Sequence, residues 1–168
     1  LVGTMPVPGD KSISHRSLIF GSLAIGTTKV RDLLEGADVM STKDALVALG
    51  ARIECDANGV WHITGVGLHG MTSPSIPLDL GNSGTGARLL MGVVAGQNIT
   101  ATFYGDASLS ARPMARITDP LAEMGAEITC RDVGLLPVTI VGAANPMALS
   151  HRSKVASAQI KSAILLAG

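Results

Sequence analysis

Three short stretches place similar chemistry at separate points of the chain: Asp10-Lys11-Ser12, Asn82-Ser83-Gly84-Thr85 and Ala156-Ser157-Ala158-Gln159. Each precedes an apolar run with helical spacing. Each therefore stands at a helix N-terminus, where unpaired backbone N–H groups and about half a positive charge attract anions. A cation follows one turn into each helix, at Arg16, Arg88 and Lys161, on the same face. A polyanionic small molecule is the ligand this pattern predicts. Ser12, Asn82 and Ser157 also read as ordinary N-caps, but a cap does not require a cation one turn later.

Arg112 is a fourth candidate. It precedes Pro113, which reads as the first residue of a helix, so its backbone is held extended and its guanidinium is presented from a stiff corner. A fixed guanidinium fork suits a phosphate or carboxylate, although the same arginine could instead brace its loop against Asp106. Other patterns are weaker. The stretch Gly3 to Ser12 has the wrong spacing for a phosphate loop and contains two prolines. Gly84-Thr85-Gly86 begins like a dinucleotide site but has Leu89 where the third glycine belongs. His15, His62, His69 and His151 lack metal-ligand spacing, and Cys55 and Cys130 read as buried or half-buried structural thiols.

The elements that hold these residues repeat. Arg16 and Arg88 lie 72 positions apart, Arg88 and Lys161 lie 73 apart, and Leu46-Val-Ala-Leu-Gly-Ala-Arg-Ile53 matches Leu121-Ala-Glu-Met-Gly-Ala-Glu-Ile128. Within the first repeat the periodicity predicts a helix over 12–25 and a strand over 27–34. A second helix, capped by Asp38, runs to Leu49. A hairpin of 51–57 and 60–66 follows, turning at Asn58-Gly59 as type I′. The second repeat predicts helices at 84–95 and 114–124 and strands at 98–105, 126–132 and 136–142. A third begins by Ser157. The fold class is α/β, with about two and a fraction units of some 73 residues each. The units run 9–80, 81–150 and 151–168, after an N-terminal strand or interdomain segment at 1–8. On this count 168 residues are too few for three units, so the length predicts a fragment.

Composition narrows the partners. Thirteen Lys and Arg balance thirteen Asp and Glu, and only four residues are Phe, Trp or Tyr, which argues against nucleic-acid binding. The longest apolar run is too short to cross a bilayer, no secretory signal opens the chain, and two cysteines make no disulfide framework. A cytoplasmic location is the expectation.

Four ordered motifs carry a resemblance that covers the whole chain. They are Pro8-Gly-Asp-Lys-Ser-Ile-Ser-His-Arg16, Leu80-Gly-Asn-Ser-Gly-Thr-Gly-Ala-Arg88, Gly105-Asp-Ala-Ser-Leu-Ser-Ala-Arg-Pro-Met114 and Ala156-Ser-Ala-Gln-Ile-Lys-Ser162. Together they resemble the 5-enolpyruvylshikimate-3-phosphate synthases, in wording closer to the class II bacterial members. The resemblance implies transfer of an enolpyruvyl group from phosphoenolpyruvate to the 5-hydroxyl of shikimate 3-phosphate, in aromatic amino-acid biosynthesis. It implies two domains of three βαβαββ units each, an inside-out α/β barrel arrangement, monomeric and without metal or organic cofactor. By the same resemblance Lys11 touches both substrates and is the catalytic candidate, while Ser12, Arg16, Ser157, Ala158 and Gln159 bind shikimate 3-phosphate. Asn82, Gly84 and Arg112 join Lys11 at phosphoenolpyruvate. Ala158 departs from the Ser of class I. In the family, Ala at the position of Gly84 crowds out the inhibitor glyphosate; Gly84 implies sensitivity and the class II likeness implies tolerance. The family's acid and base carboxylates come from the second domain, and the resemblance implies that this chain is an incomplete N-terminal domain. The alternatives are a non-catalytic phosphate-binding module, or a relative acting on UDP-N-acetylglucosamine; that relative carries a reactive Cys in the loop corresponding to 105–114, where this chain has none.

Overall fold

The computed structural model describes residues 2–5, 7–153 and 155–168. Two sheets are built to one plan. The first comes from α1 (Lys11–Leu23), β1 (Ile25–Val30), α2 (Ala37–Ala48), β2 (Arg52–Cys55) and β3 (Trp61–Val66). Its strands run antiparallel in the order β1-β3-β2, with Thr28 opposite Ile63 and Ile53 opposite the same residue. The second comes from β4 (Leu78–Asp79), α3 (Gly84–Ala95), β5 (Thr100–Tyr104), α4 (Ala107–Ser110), α5 (Ala115–Glu123), β6 (Glu127–Arg131) and β7 (Leu135–Val141). Its order is β4-β5-β7-β6, parallel only between β4 and β5. The helix α6 (Ala158–Ala167) follows.

The second unit thus reads βαβαββ with the one-turn α4 added, and the first has the same order from α1 onward. Of residues 1–8, those described form no strand. Prolines at 6 and 8 remove backbone donors from that stretch, which disfavours ladder pairing.

The helix α3 is apolar nearly all round, and only Thr85 and Arg88 within it are part-exposed. Such a helix belongs in the interior. It sits there, against α1, α2, α5 and α6 and against the second sheet. Core residues such as Leu89, Met91, Phe103, Val138 and Ile140 have no more than traces of exposure. The contact with α6 is unusually close because it is made of small residues. A Cβ on Gly92 would collide with the carbonyl of Ala163, and one on Gly96 with that of Ala167. The backbones of α3 and α6 therefore touch.

Several local expectations are corrected. The first strand stops at Val30 rather than 34, since Asp32 adopts a left-handed φ of 55°. The cap of α2 is Gly36, because the Asp38 carboxylate is engaged by Lys11 and sits inside the first turn. The hairpin turn is not type I′. Only Gly59 has a positive φ, of 75°, and Asp56 Oδ1 accepts from the N–H groups of Asn58 and Val60, which selects a longer side-chain-anchored loop. Pro113 lies before the Met114 cap of α5 rather than in its first helical position. Cys55 and Cys130 are exposed thiols, since each lies on the edge strand of its sheet.

Candidate functional site

The helices α1, α3 and α6 start in the same way. Asp10 accepts from the N–H of Ile13, Ser83 from that of Gly86 and Ser157 from that of Ile160, each cap reaching the third helical residue. The caps of α1 and α3 are therefore Asp10 and Ser83, not Ser12 and Asn82. Asp, Ser and Asn all cap well, so residue type alone does not choose between neighbours. The correction leaves Ser12 and Asn82 with other work available to them.

The side chains at these helix starts are linked across the repeat. Arg88 donates from Nη1 to the Gly84 carbonyl and, at 3.1 Å, to Oε1 of Gln159. Gln159 donates in turn to the Thr85 hydroxyl at 3.0 Å. Arg16 donates to the Ser12 carbonyl at 3.1 Å and to the Ser162 hydroxyl at 2.9 Å, tying α1 to α6. Arg112 donates to Oδ1 of Asn82 at 2.6 Å and to Ser108, while Asn82 donates from Nδ2 to Asp106. Arg112 does not pair with Asp106 directly, as the alternative reading required; Asn82 stands between them and bonds to both. Hydrogen bonds from Asn82 and from the Leu109 N–H hold the Asp106 carboxyl below its ordinary range.

Arg88, Arg112, Arg116, Ser157 and Gln159 line one open cavity of about 410 Å³, together with the apolar Ile117 and Ile160. Among the described residues, no carboxylate lines it. Burial lowers the pKa of Arg88 from its ordinary value, and the charges of Arg112 and Arg116 lower it further. Gly84 sits against the same cations. A methyl there would lie 2.8 Å from Nη1 of Arg88 and 3.1 Å from Nη1 of Arg112. Three guanidiniums facing a cavity that no described carboxylate lines are arranged to hold a multiply charged anion.

The other expected residues are not among those that line this cavity. Lys11 is half-exposed and paired with Asp38. Ser12 and Ala158 are exposed at the starts of α1 and α6. Lys161, expected as the third equivalent cation, is exposed and does not line the cavity. Beneath Lys11 lies His15, fully enclosed, with Nδ1 2.9 Å from the Thr42 hydroxyl and Nε2 without a partner. Burial, reinforced by the charge of Lys11, pushes the His15 pKa down to about 4.

Sequence reasoning missed Arg116, Thr85, Asp38 and the enclosed His15. Arg116 had a usable signal, being one helical turn beyond Arg112. The Lys11 to Asp38 pair had none, because 27 positions of chain separate its members.

Comparison with known proteins adds the following. Residues 1–168 match the family described as EPSP synthase (3-phosphoshikimate 1-carboxyvinyltransferase). The 3-phosphoshikimate 1-carboxyvinyltransferase of Parvibaculum lavamentivorans is 57% identical over 168 residues, all of this chain and 37% of that protein. That of Novosphingobium aromaticivorans is 58% identical, over all of this chain and 38% of that protein. The EPSP synthase structure from Acinetobacter baumannii superposes with a TM-score of 0.94 at 48% identity, covering 99% of this chain and 38% of that one. The chain thus spans well under half the length of the relatives it matches. Among the described residues, no helix is long and apolar enough to cross a membrane.

Proposed function

The chain belongs to the EPSP synthase (3-phosphoshikimate 1-carboxyvinyltransferase) family, and from that premise we propose that it supplies the shikimate 3-phosphate side of an enolpyruvyl transfer. In that reaction C3 of phosphoenolpyruvate takes a proton, and the 5-hydroxyl oxygen of shikimate 3-phosphate gives up its own proton to a base as it bonds to C2. Phosphate then leaves as C3 gives a proton back, and the product is an enolpyruvyl ether. Two phosphates and a carboxylate must be held together while a cationic centre forms, which is a task for preorganised cations and helix N-termini.

The observation that carries this reading is the cavity lined by three arginines, to which α3, α5 and the start of α6 each contribute. Ser157 and Gln159 are its shikimate 3-phosphate contacts, with Ser12, Arg16 and the Ala158 backbone at the neighbouring helix starts. Arg112, held by Asn82, grips phosphoenolpyruvate beside Gly84. Lys11 leaves Asp38 to reach both substrates. The proton-transfer carboxylates belong to a further domain, this chain forming the incomplete N-terminal domain of a monomeric cytoplasmic enzyme. The absence of Cys from 105–114 speaks against a transferase that uses a reactive thiol there.

Calorimetric titration of the chain with shikimate 3-phosphate tests the reading. The wild type binds it in preference to inorganic phosphate, and Lys11→Ala weakens it about tenfold, the scale of one hydrogen bond to a charged group. Equal affinity for any phosphate would favour a non-catalytic anion-binding module. Unchanged affinity in the variant would remove Lys11 from the site.

A further inference from the structure

We propose that Arg116 is a third guanidinium ligand for a phosphate monoester dianion in this cavity, and so a substrate-binding residue. The inference rests on the reading of the chain as the shikimate 3-phosphate side of an enolpyruvyl transferase.

Arg116 follows Arg112 by four residues, in the first turn of α5, a helix seated on the core by Ile117 and Leu121. The other two guanidiniums are already engaged. Arg88 is bonded to the Gly84 carbonyl and Gln159, and Arg112 to Asn82 and Ser108. Those bonds orient the two forks. Arg116, among the described residues, makes no side-chain hydrogen bond and no ion pair, so its five N–H donors are uncommitted. Acids do lie close on the same helix. Asp119 and Glu123 line a neighbouring cavity that also reaches Arg116, yet neither comes within the 4.0 Å of an ion pair.

The charge pattern points the same way. Three like charges share one cavity that no carboxylate lines among the described residues, and two of them are part-buried. Their mutual repulsion is relieved by an anion of charge near minus two, whose three terminal oxygens can each accept from one fork. A phosphate monoester has that charge and that number of oxygens. Both substrates of the proposed reaction carry one.

Titration of the chain with shikimate 3-phosphate, phosphoenolpyruvate and unphosphorylated shikimate, for wild type, Arg116→Gln and Arg116→Lys, tests the proposal. Arg116→Gln is expected to weaken at least one phosphate ester about tenfold, with shikimate affinity and melting temperature unchanged. Arg116→Lys is expected to recover only part of the loss, since an ammonium lacks the fork. The ester that loses more identifies which phosphate Arg116 holds. Less than a twofold change for both esters, while Arg112→Gln weakens binding, would overturn this assignment and leave the parent reading intact. An equal loss for shikimate would make the role of Arg116 structural and overturn the assignment too. Wild-type protein that binds neither ester would overturn the parent reading and this inference with it.

Discussion

His15 offers a measurement in which the structure fixes both sign and size. The ring is fully enclosed beneath Lys11, one nitrogen bonded to Thr42 and the other bare, and its pKa is pushed from 6.5 down to about 4. The folded state therefore holds the ring neutral where the unfolded chain protonates it. Below pH 6.5 the unfolded state binds the extra proton, so stability is complete above that value and is lost as the pH falls toward 4. At about 1.4 kcal/mol per pH unit, the loss reaches roughly 3 kcal/mol by pH 4. Asn at this position places its Nδ2 near the site of the imidazole Nδ1, so His15→Asn keeps a donor toward Thr42 and removes the titration. Urea unfolding of wild type and variant at pH 7.5, 6, 5 and 4 reads the effect as a difference. Exposed carboxylates whose pKa values are lowered, such as Asp56 and Asp106, titrate alike in both proteins and cancel. The wild-type midpoint is expected to fall by about 1–2 M more than that of the variant across this range. Parallel pH profiles would refute the argument that the enclosed ring is neutral in the fold.

Two further outcomes follow from the same packing. Gly92→Ala forces a methyl into the Ala163 carbonyl, and is expected to cost about 1–3 kcal/mol and to release α6 first. Hydrogen exchange across 158–167 checks this, and an unchanged urea midpoint would contradict it. Gly84→Ala presses on the far ends of Arg88 and Arg112, which can move, and meets Leu109 at an ordinary contact distance, so stability is expected to hold within about 0.5 kcal/mol. Ligand selectivity is expected to change instead: the longer inhibitor glyphosate loses about tenfold or more and phosphoenolpyruvate much less, and equal losses would count against the placement of Gly84.

The repeat made the architecture legible before any coordinates. An offset near 73 residues pairs β1 with β5 and the hairpin β2–β3 with β6–β7, and each pair occupies the same place in its sheet. Helix positions followed from apolar spacing. Chain punctuation was less legible. Asp10 and Ser12 differ little as caps, and the choice is made by which side chain meets the Ile13 N–H in three dimensions. Within the site, the sequence pointed to Arg88, Ser157 and Gln159 by their positions at repeated helix starts, and to Arg112 by the proline that follows it. The partners that position them were hidden. Asn82 mediates between Arg112 and Asp106, and Asp38 engages Lys11, through contacts that depend on how the helices pack. Lys161 failed for a related reason. Repeat equivalence places it one turn into α6, but not on the side that faces α3.

The small-residue seam between α3 and α6 acts as a ruler for the site. Arg88 and Gln159 are 71 positions apart in sequence, yet they meet because Gly92 and Gly96 lie against Ala163 and Ala167 further down the same two helices. A slip of one turn between those helices would move every contact by about 5.4 Å and carry Arg88 away from Gln159 altogether. Backbone pressed on backbone admits no intermediate setting. Substitutions among the flexible side chains of the cavity can therefore retune affinity, while the spacing between the second unit's cations and the third unit's polar groups stays set by four residues outside the cavity lining.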